Sequence, residues 1–395
     1  MLRGTPFHPR TSALVESHTW RRWSGYLTVG SYEMTHEREY WAIRNAAALI
    51  DVTPLYKYRL TGPDVARLLN RVITRDVNTL AIGQVYYTPW CDDHGKVIDD
   101  GTVSRLGEQT FRLTSAEPSL RWLSDNAFGL SVKIEDVSDA IASLALQGPR
   151  SREILNAATG TSLDSLKYFR VIDVAIRALP VTISRTGYTG DLGYELWMDS
   201  QNALAVWDAL IDAGTPYGIT PTGILALDVA RVEAGLLMLD VDYTSAHKAM
   251  IEEQKSSPFE LNLGWAVSLD KGHFVGRHAL LKEKERGSAW QFVGIEVEWP
   301  ALERLFTEVG LAPQLPLTTS RTSIPLFAGG RQIGYASSQC WSPLLKKYIA
   351  LAHVEAAYAK PNTLVTFEVT VEHKRKWAAA RVATLPFFNP ERKRK

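Results

Sequence analysis

Only two cysteines, Cys91 and Cys340, occur in 395 residues, far apart and in no CxxC or histidine-associated spacing. That excludes a disulfide framework and a structural zinc, and it fits a reducing compartment. The chain carries no excess charge of either sign: 44 basic against 43 acidic side chains leave a formal +1. A field suited to nucleic acid or anionic lipid is therefore missing. No apolar run approaches the ~18–20 residues of a membrane helix, and the opening MLRGTPFHPR has no signal-peptide core. A cytoplasmic location without a membrane partner is expected. HExxH, GxSxG, Walker and GxGxxG motifs are absent, which removes support for hydrolytic, phosphoryl-transfer, metalloenzyme and dinucleotide chemistry. The basic tail 391–395 reads as a solvated terminus.

What is present is enough apolar sequence, 45%, for more than one core. After a polar, aromatic-rich entry, Tyr40, Ile43 and Ala47 predict a helix over 37–48. Alternation at 56–60 predicts a strand, ended by Thr61-Gly62-Pro63-Asp64, with Asp64 capping a helix through Leu69. Strands at 85–90, 96–105 and 110–115 surround an Asp92-Asp93-His94-Gly95 turn, and a helix follows at 117–127. A second unit of similar style runs from an apolar strand at 143–147 through a helix at 151–157, strands at 181–185 and 193–198, and a helix at 201–213. These units predict an α+β architecture with a weak pseudo-repeat. From about 274 the texture changes to short strands with regular turns, which predicts a separate small barrel or sandwich, with the boundary near 272–281.

Chemistry concentrates in three places. Asp99 and Asp100 lie side by side in a strand where isolated acids are costly. Alternation assigns one to solvent and turns the other inward, and the inward acid is the catalytic candidate. In Ser184–Trp197, three glycines and Tyr188 form a loop that lets the backbone approach a flat or curved surface closely. Glu195, an acid among Tyr194, Leu196 and Trp197, is placed either to accept N–H bonds from a heterocycle or to face solvent. Asp228 and Arg231 are three apart on a helix, a spacing normally explained by an internal ion pair.

In order along the chain stand Thr5-Pro6-Phe7-His8, Leu60-Thr61-Gly62-Pro63-Asp64, Arg75-Asp76-Val77, Tyr87-Thr88-Pro89, Gly95 to Asp100, Ala145 to Pro149, Arg185 to Gly190, Arg231 to Leu236, Asp270-Lys271, Phe274-Val275-Gly276, Ser342-Pro343 and Leu385-Pro386-Phe387. This series resembles the glycine-cleavage T-protein (aminomethyltransferase) family over nearly the whole chain. The resemblance implies a three-lobed ring around tetrahydrofolate. Residues 1–273 would form a folate-binding region of two interleaved lobes, 55–140 and 1–54 with 141–273, and 274–395 a C-terminal β-barrel. It implies that Asp100 lies beside the reactive folate nitrogens and Glu195 holds the pterin edge, with Tyr87, Tyr188, Arg231 and Ser115 as further cofactor-binding residues. The TPL-like opening argues against a transit segment.

Departures from the family pattern fall in the site. Leu227-Asp228 stands where an Arg-Asp pair is expected, Leu239-Asp240-Val241-Asp242 replaces a Tyr-Gly-Asn/His-Asp run, Ala116 replaces an Asn, and residues 243–259 are extra. These changes look more like folate-dependent demethylases acting on O-, S- or N-methyl compounds. Tyr243 or His247 in the extra segment is then a candidate acid for a leaving oxygen, and Tyr243 is carried as the second catalytic residue, although a solvent loop is the expected role of the segment as a whole. The donor is either a small methylated or aminomethyl compound or a group on a lipoyl carrier protein. A non-catalytic folate-binding protein is a competing expectation, set against Lys271-Gly272-His273-Phe274, which lacks the thiol of such relatives. So is the folate lobe of an amine dehydrogenase, which would act alone or with a partner subunit.

Overall fold

Alternating residues over 56–61 and 84–136 build a five-stranded antiparallel sheet in the computed structural model, which describes residues 2–395. Its order is Gln84–Cys91, Val97–Gly107, Thr110–Ser115, Tyr56–Thr61 and Lys133–Asp136. One face carries Tyr58, Leu60, Trp90, Val103, Phe111 and Leu113 against the helix Val65–Val72, whose Val65, Leu68, Leu69 and Val72 recur at three- and four-residue spacing. The other face carries Tyr87, Asp100, Thr102, Arg112 and Thr114, as the pairing of Tyr87 with Thr102 and of Arg112 with Ser104 dictates.

A six-stranded sheet forms the second lobe, in the order Val171–Ile176, Leu179–Ser184, Gly193–Asp199, Ile141–Gln147, Ala47–Asp51, Ile219–Pro221. Helices Ser151–Thr159 and Ala203–Gly214 bury Ile154, Leu155, Val206, Trp207 and Leu210 with its apolar face. Ala47–Asp51 precedes the first lobe in sequence yet pairs with Ile141–Gln147 after it. The chain thus starts the second lobe, builds the first and returns, so the two are interleaved. The third lobe is a closed six-stranded barrel between Trp290 and Ala383, filled by residues such as Ile295, Leu326, Ile333, Phe367 and Val382.

A shared core drawn from all three lobes joins them. Cys91 and Val97 from the first sheet, Ile50 and Ala145 from the second, and Cys340, Ile349 and Leu351 from the barrel meet around the helix Ile224–Glu233. Both cysteines are free and buried there. Two polar hubs complete the junction. Glu233 accepts from Tyr40 (2.6 Å), from Arg44 Nε (3.0 Å) and Nη2 (2.5 Å), and from Ser342 of the barrel (2.5 Å). Arg231 donates to Asp228 (2.8 Å), Ser338 (2.8 Å) and Asp242, and Asp242 also accepts from Ser337 (2.6 Å). Buried charges so arranged hold one another in place, because removing any partner leaves the rest unpaired.

Several local expectations change. The polar entry contains a hairpin, Thr19–Trp23 with Tyr26–Ser31, closed by Ser24 and Gly25, both at positive φ (45° and 85°) as a two-residue hairpin turn requires. The helix expected at 117–127 runs only over Leu120–Asn126, since the residue before Pro118 is driven from helical geometry. Asp64 precedes its helix without capping it, and accepts from Ser131 N instead (2.9 Å). A helix, Arg277–Arg286, occupies the stretch after the expected texture change. The basic tail is not free in solvent: Arg392 grips Asp191 through two bonds of 2.6 and 2.8 Å, and Arg152 donates to the carbonyl of Lys395 (2.9 Å). No helix among the described residues is long and apolar enough to cross a membrane.

Candidate functional site

The acid pair sits on strand Val97–Gly107, so its two side chains leave on opposite faces. Neither goes to bulk solvent, which corrects the expectation of one inward and one outward acid. Asp99 is the more buried, 1% exposed, and takes the backbone N–H of Asp100 (2.8 Å) and of Glu117 (3.0 Å). It anchors the turn after Thr110–Ser115. Asp100 faces the other way, half-buried, and its Oδ1 accepts the hydroxyl of Tyr243. The Tyr87 phenol lies close enough to act on the same carboxylate. Burial raises the Asp100 carboxyl above the ordinary aspartate range, opposed by Tyr243 and Tyr87. Burial, reinforced by the charge of Asp100, in turn pushes both phenols well above the usual tyrosine range.

Tyr243 reaches Asp100 because the extra segment is docked on the first sheet. Ala246 N donates to Val97 O and Val97 N to Ser256 O (both 2.8 Å). Residues 243, 245, 246, 257 and 258 are buried, and 247–248 and 250–254 are exposed. The expected solvent loop is therefore confined to the stretch between the two docked ends. His247 is exposed, its ring edge-on to Trp122 at 5.2 Å, and Asp100 takes its hydrogen bond from Tyr243 instead.

The facing wall comes from the second lobe. Glu195 and Trp197, two apart on Gly193–Asp199, share a face. Thr186 donates to Glu195 Oε2 (2.5 Å), and Ser184 bonds both Thr186 (2.8 Å) and Trp197 Nε1 (3.3 Å). Burial raises the Glu195 carboxyl, against the pull of Thr186 and Arg112. Tyr188, half-buried on the adjoining loop, donates to Leu237 O. Two of the loop's glycines make room for the protein itself, while the backbone at Gly187 stays exposed. A Cβ on Gly187 or Gly193 would lie 2.0 or 2.1 Å from Gln147 Oε1. Gln147 uses that space to donate to the carbonyls of Thr186 (3.3 Å) and Tyr194 (3.2 Å) and to accept from Thr189 (2.9 Å).

Asp100, Tyr87, Glu195 and Tyr188 each retain some solvent contact while desolvation dominates their ionisation. Side chains in that condition are reachable from outside while held in a desolvated setting. Trp265, 64% exposed, stacks on Tyr87 (centroids 6.0 Å, planes 24° apart) and extends the aromatic wall outward. A surface groove of 510 Å³ beside the helix Val65–Val72 is lined by Pro63, Ala66, Arg67, Asn70 and His273 among others, and holds no acid.

Two expected cofactor residues lie elsewhere. Arg231 is fully buried with its guanidinium engaged by Asp228, Asp242 and Ser338, as the ion-pair reading of its spacing implies and a ligand-binding role does not. Ser115 falls on the core face of its strand, opposite to Asp100, and donates to Glu117 O (2.6 Å). Arg112, Thr186, Trp197 and Trp265 belong to the lining and were not anticipated. For Arg112 a signal existed: it is a lone cation in an otherwise uncharged strand, Thr110–Ser115. An aromatic box with a half-satisfied carboxylate, Glu195, and a buried unpaired Arg112 nitrogen suits a flat heterocycle bearing both N–H donors and acceptors.

Comparison with known proteins places this geometry in a family. A model described as the GCVT N-terminal domain matches residues 8–271, and one described as the glycine cleavage T-protein C-terminal barrel domain matches residues 308–389. An aminomethyltransferase of Halothermothrix orenii is 32% identical over 379 residues, 95% of this chain and 96% of that protein. A trimethylamine-oxide aldolase of Ruegeria pomeroyi is 33% identical over 413 residues, 100% of this chain but 48% of that larger protein. The crystal structure of glycine cleavage system aminomethyltransferase T from Bartonella henselae matches with a TM-score of 0.83 at 24% identity, covering 98% of this chain and 99% of that one. At that identity the match establishes the fold.

Proposed function

This chain belongs to the glycine cleavage T-protein family of tetrahydrofolate-dependent one-carbon transferases, and we propose that it moves an aminomethyl or methyl group onto tetrahydrofolate at the cluster of Asp100, Tyr243 and Tyr87. The observation that carries the reading is this cluster, a half-buried carboxylate bonded by Tyr243 with the Tyr87 phenol beside it. Tetrahydrofolate supplies the nucleophilic nitrogen that takes up the one-carbon unit. Glu195, with the oxygen left free by Thr186, accepts N–H groups of the pterin, while Tyr188 and Tyr87 bound its faces.

Asp100 holds negative charge where cationic character develops, in a site that desolvation makes electrostatically strong. Its carboxylate also relays a proton, with the Tyr243 hydroxyl already oriented on Oδ1. The same contact favours a second reading, an O-, S- or N-demethylase. Tyr243 is the acid nearest to a leaving heteroatom beside Asp100, and an acid there lowers the barrier for expelling a poor leaving group.

The donor decides between these. The protein is incubated with tetrahydrofolate and either an aminomethyl-lipoyl carrier protein or a panel of methoxy-aromatic, sulfonium and N-methyl compounds. Methylene folate, with ammonia and the free carrier thiol released, supports the aminomethyl donor and the carrier as partner. Methyl folate from a member of the panel supports the demethylase. Failure to take up tetrahydrofolate in calorimetry overturns both.

A further inference from the structure

Four arginines are buried: Arg44, Arg112, Arg185 and Arg231. Three are richly bonded. Arg44 serves Glu233, Thr189 O and Ala230 O, Arg185 serves carbonyls of Leu166 and of the tail, and Arg231 serves Asp228, Asp242 and Ser338. Arg112, 8% exposed, has its Nε sealed from solvent without an acceptor, as Arg185 Nε also is, but among the described residues none of the guanidinium nitrogens of Arg112 donates a hydrogen bond or joins an ion pair. A buried cation left so is unfavourable unless something outside the chain supplies acceptors.

Its surroundings say what kind of group that is. Arg112 stands on the Asp100 face of the first sheet, opposite Ser104. Its guanidinium carbon lies 4.2 Å from the ring centroid of Trp197, so the cation's flat face is covered and its edge donors remain. Trp197 shares its strand face with Glu195, whose charge is felt at Arg112 without a direct pair forming. Burial lowers Arg112 to about 10, with Glu195 and Asp173 opposing. The wall therefore presents a row of acceptor and donor side by side. A cyclic amide, with N–H next to C=O, is the complement of that row.

We propose that Arg112 and Glu195 together read the lactam edge of the pterin, Glu195 accepting from its ring N–H and amino group and Arg112 donating to its 4-oxo oxygen. This rests on the tetrahydrofolate reading above. An anionic tail is a poorer occupant, because the carboxylates of Glu195 and Asp173 already act on Arg112 and repel it.

The test compares two ligands by calorimetry: tetrahydrofolate, and 6-methyltetrahydropterin, which keeps the lactam edge and lacks every carboxylate. Arg112→Met is expected to weaken both by a similar factor, about 10- to 100-fold for a charge-assisted bond. Arg112→Gln, which keeps an N–H donor over Trp197, is expected to weaken both less and carries the test if the Met variant melts early. Weakening of tetrahydrofolate alone assigns Arg112 to the glutamate tail and overturns the proposal, as does unchanged affinity for both. Wild-type protein that binds neither ligand removes the folate reading itself, an outcome distinct from the other three.

Discussion

The Tyr243 hydroxyl donates to Asp100 Oδ1 across 143 positions of sequence, joining the extra segment to the acid that carries the site. Asp100→Asn keeps the shape and two acceptor–donor positions but removes the charge. Turnover is expected to fall about 10²–10⁴-fold, or roughly 3–5.5 kcal/mol of barrier. Single-turnover kinetics with tetrahydrofolate checks this, and a rate within about threefold of wild type removes Asp100 from the chemistry.

The pH profile follows from the direction of the Asp100 shift. Its carboxyl is raised by burial, so the acid limb of kcat should lie above the ordinary aspartate range of about 3.9, with activity rising as the group ionises. Asp100→Asn should abolish that limb. A limb that survives the substitution belongs to another group.

Stability should move the opposite way to activity. Because the folded state holds the Asp100 proton more tightly than the unfolded state, folded stability falls as pH rises from the unfolded pKa through the raised folded one. At pH 7 the buried charge is a net destabilising feature. Urea melts should therefore show Asp100→Asn more stable than wild type by about 0.5–2 kcal/mol, with the difference shrinking toward pH 3. A less stable variant contradicts the assignment.

Tyr243→Phe deletes one oxygen in a docked segment. If the phenol assists proton transfer, kcat should drop by about 10–10³-fold while tetrahydrofolate affinity stays within about threefold. Equal losses in both, read from calorimetry beside kinetics, would mark Tyr243 as packing only.

Glu233→Ala leaves Arg44 buried beside Tyr40 and Ser342 with its main acceptor gone. Loss of about 3–5 kcal/mol is expected in chemical denaturation. A loss under about 1 kcal/mol contradicts its role as the junction of the lobes.

Much of this was legible from residues alone. Period-two alternation finds the strand 56–60 nearly to the residue, and the turn residues around 110–115 and 364–371 delimit those strands as closely. The pairing of Asp228 with Arg231 is local, and its helical spacing suffices. Hidden from sequence were relations that depend on distant partners. Asp99 and Asp100 look equivalent until Glu117 N claims one and Tyr243 the other. The motif residue Lys271 offers no hint that its ammonium, pushed down to about 7 by burial, serves the carbonyls of Asn70, Ile73 and Arg75. Glycines at 187, 190 and 193 signal close approach, but whether a ligand or Gln147 fills the space is settled only in three dimensions.

Because Glu233 takes hydrogen bonds from helix Glu37–Asn45 and from Ser342 of the barrel at once, the barrel is not an interchangeable module. A chimera that grafts a relative's C-terminal portion onto this chain inherits a working junction only when small hydroxyls arrive at the positions of Ser342, Ser337 and Ser338 to meet Glu233, Asp242 and Arg231, so recombination between family members is constrained by a few matched contacts more than by the length of the crossover.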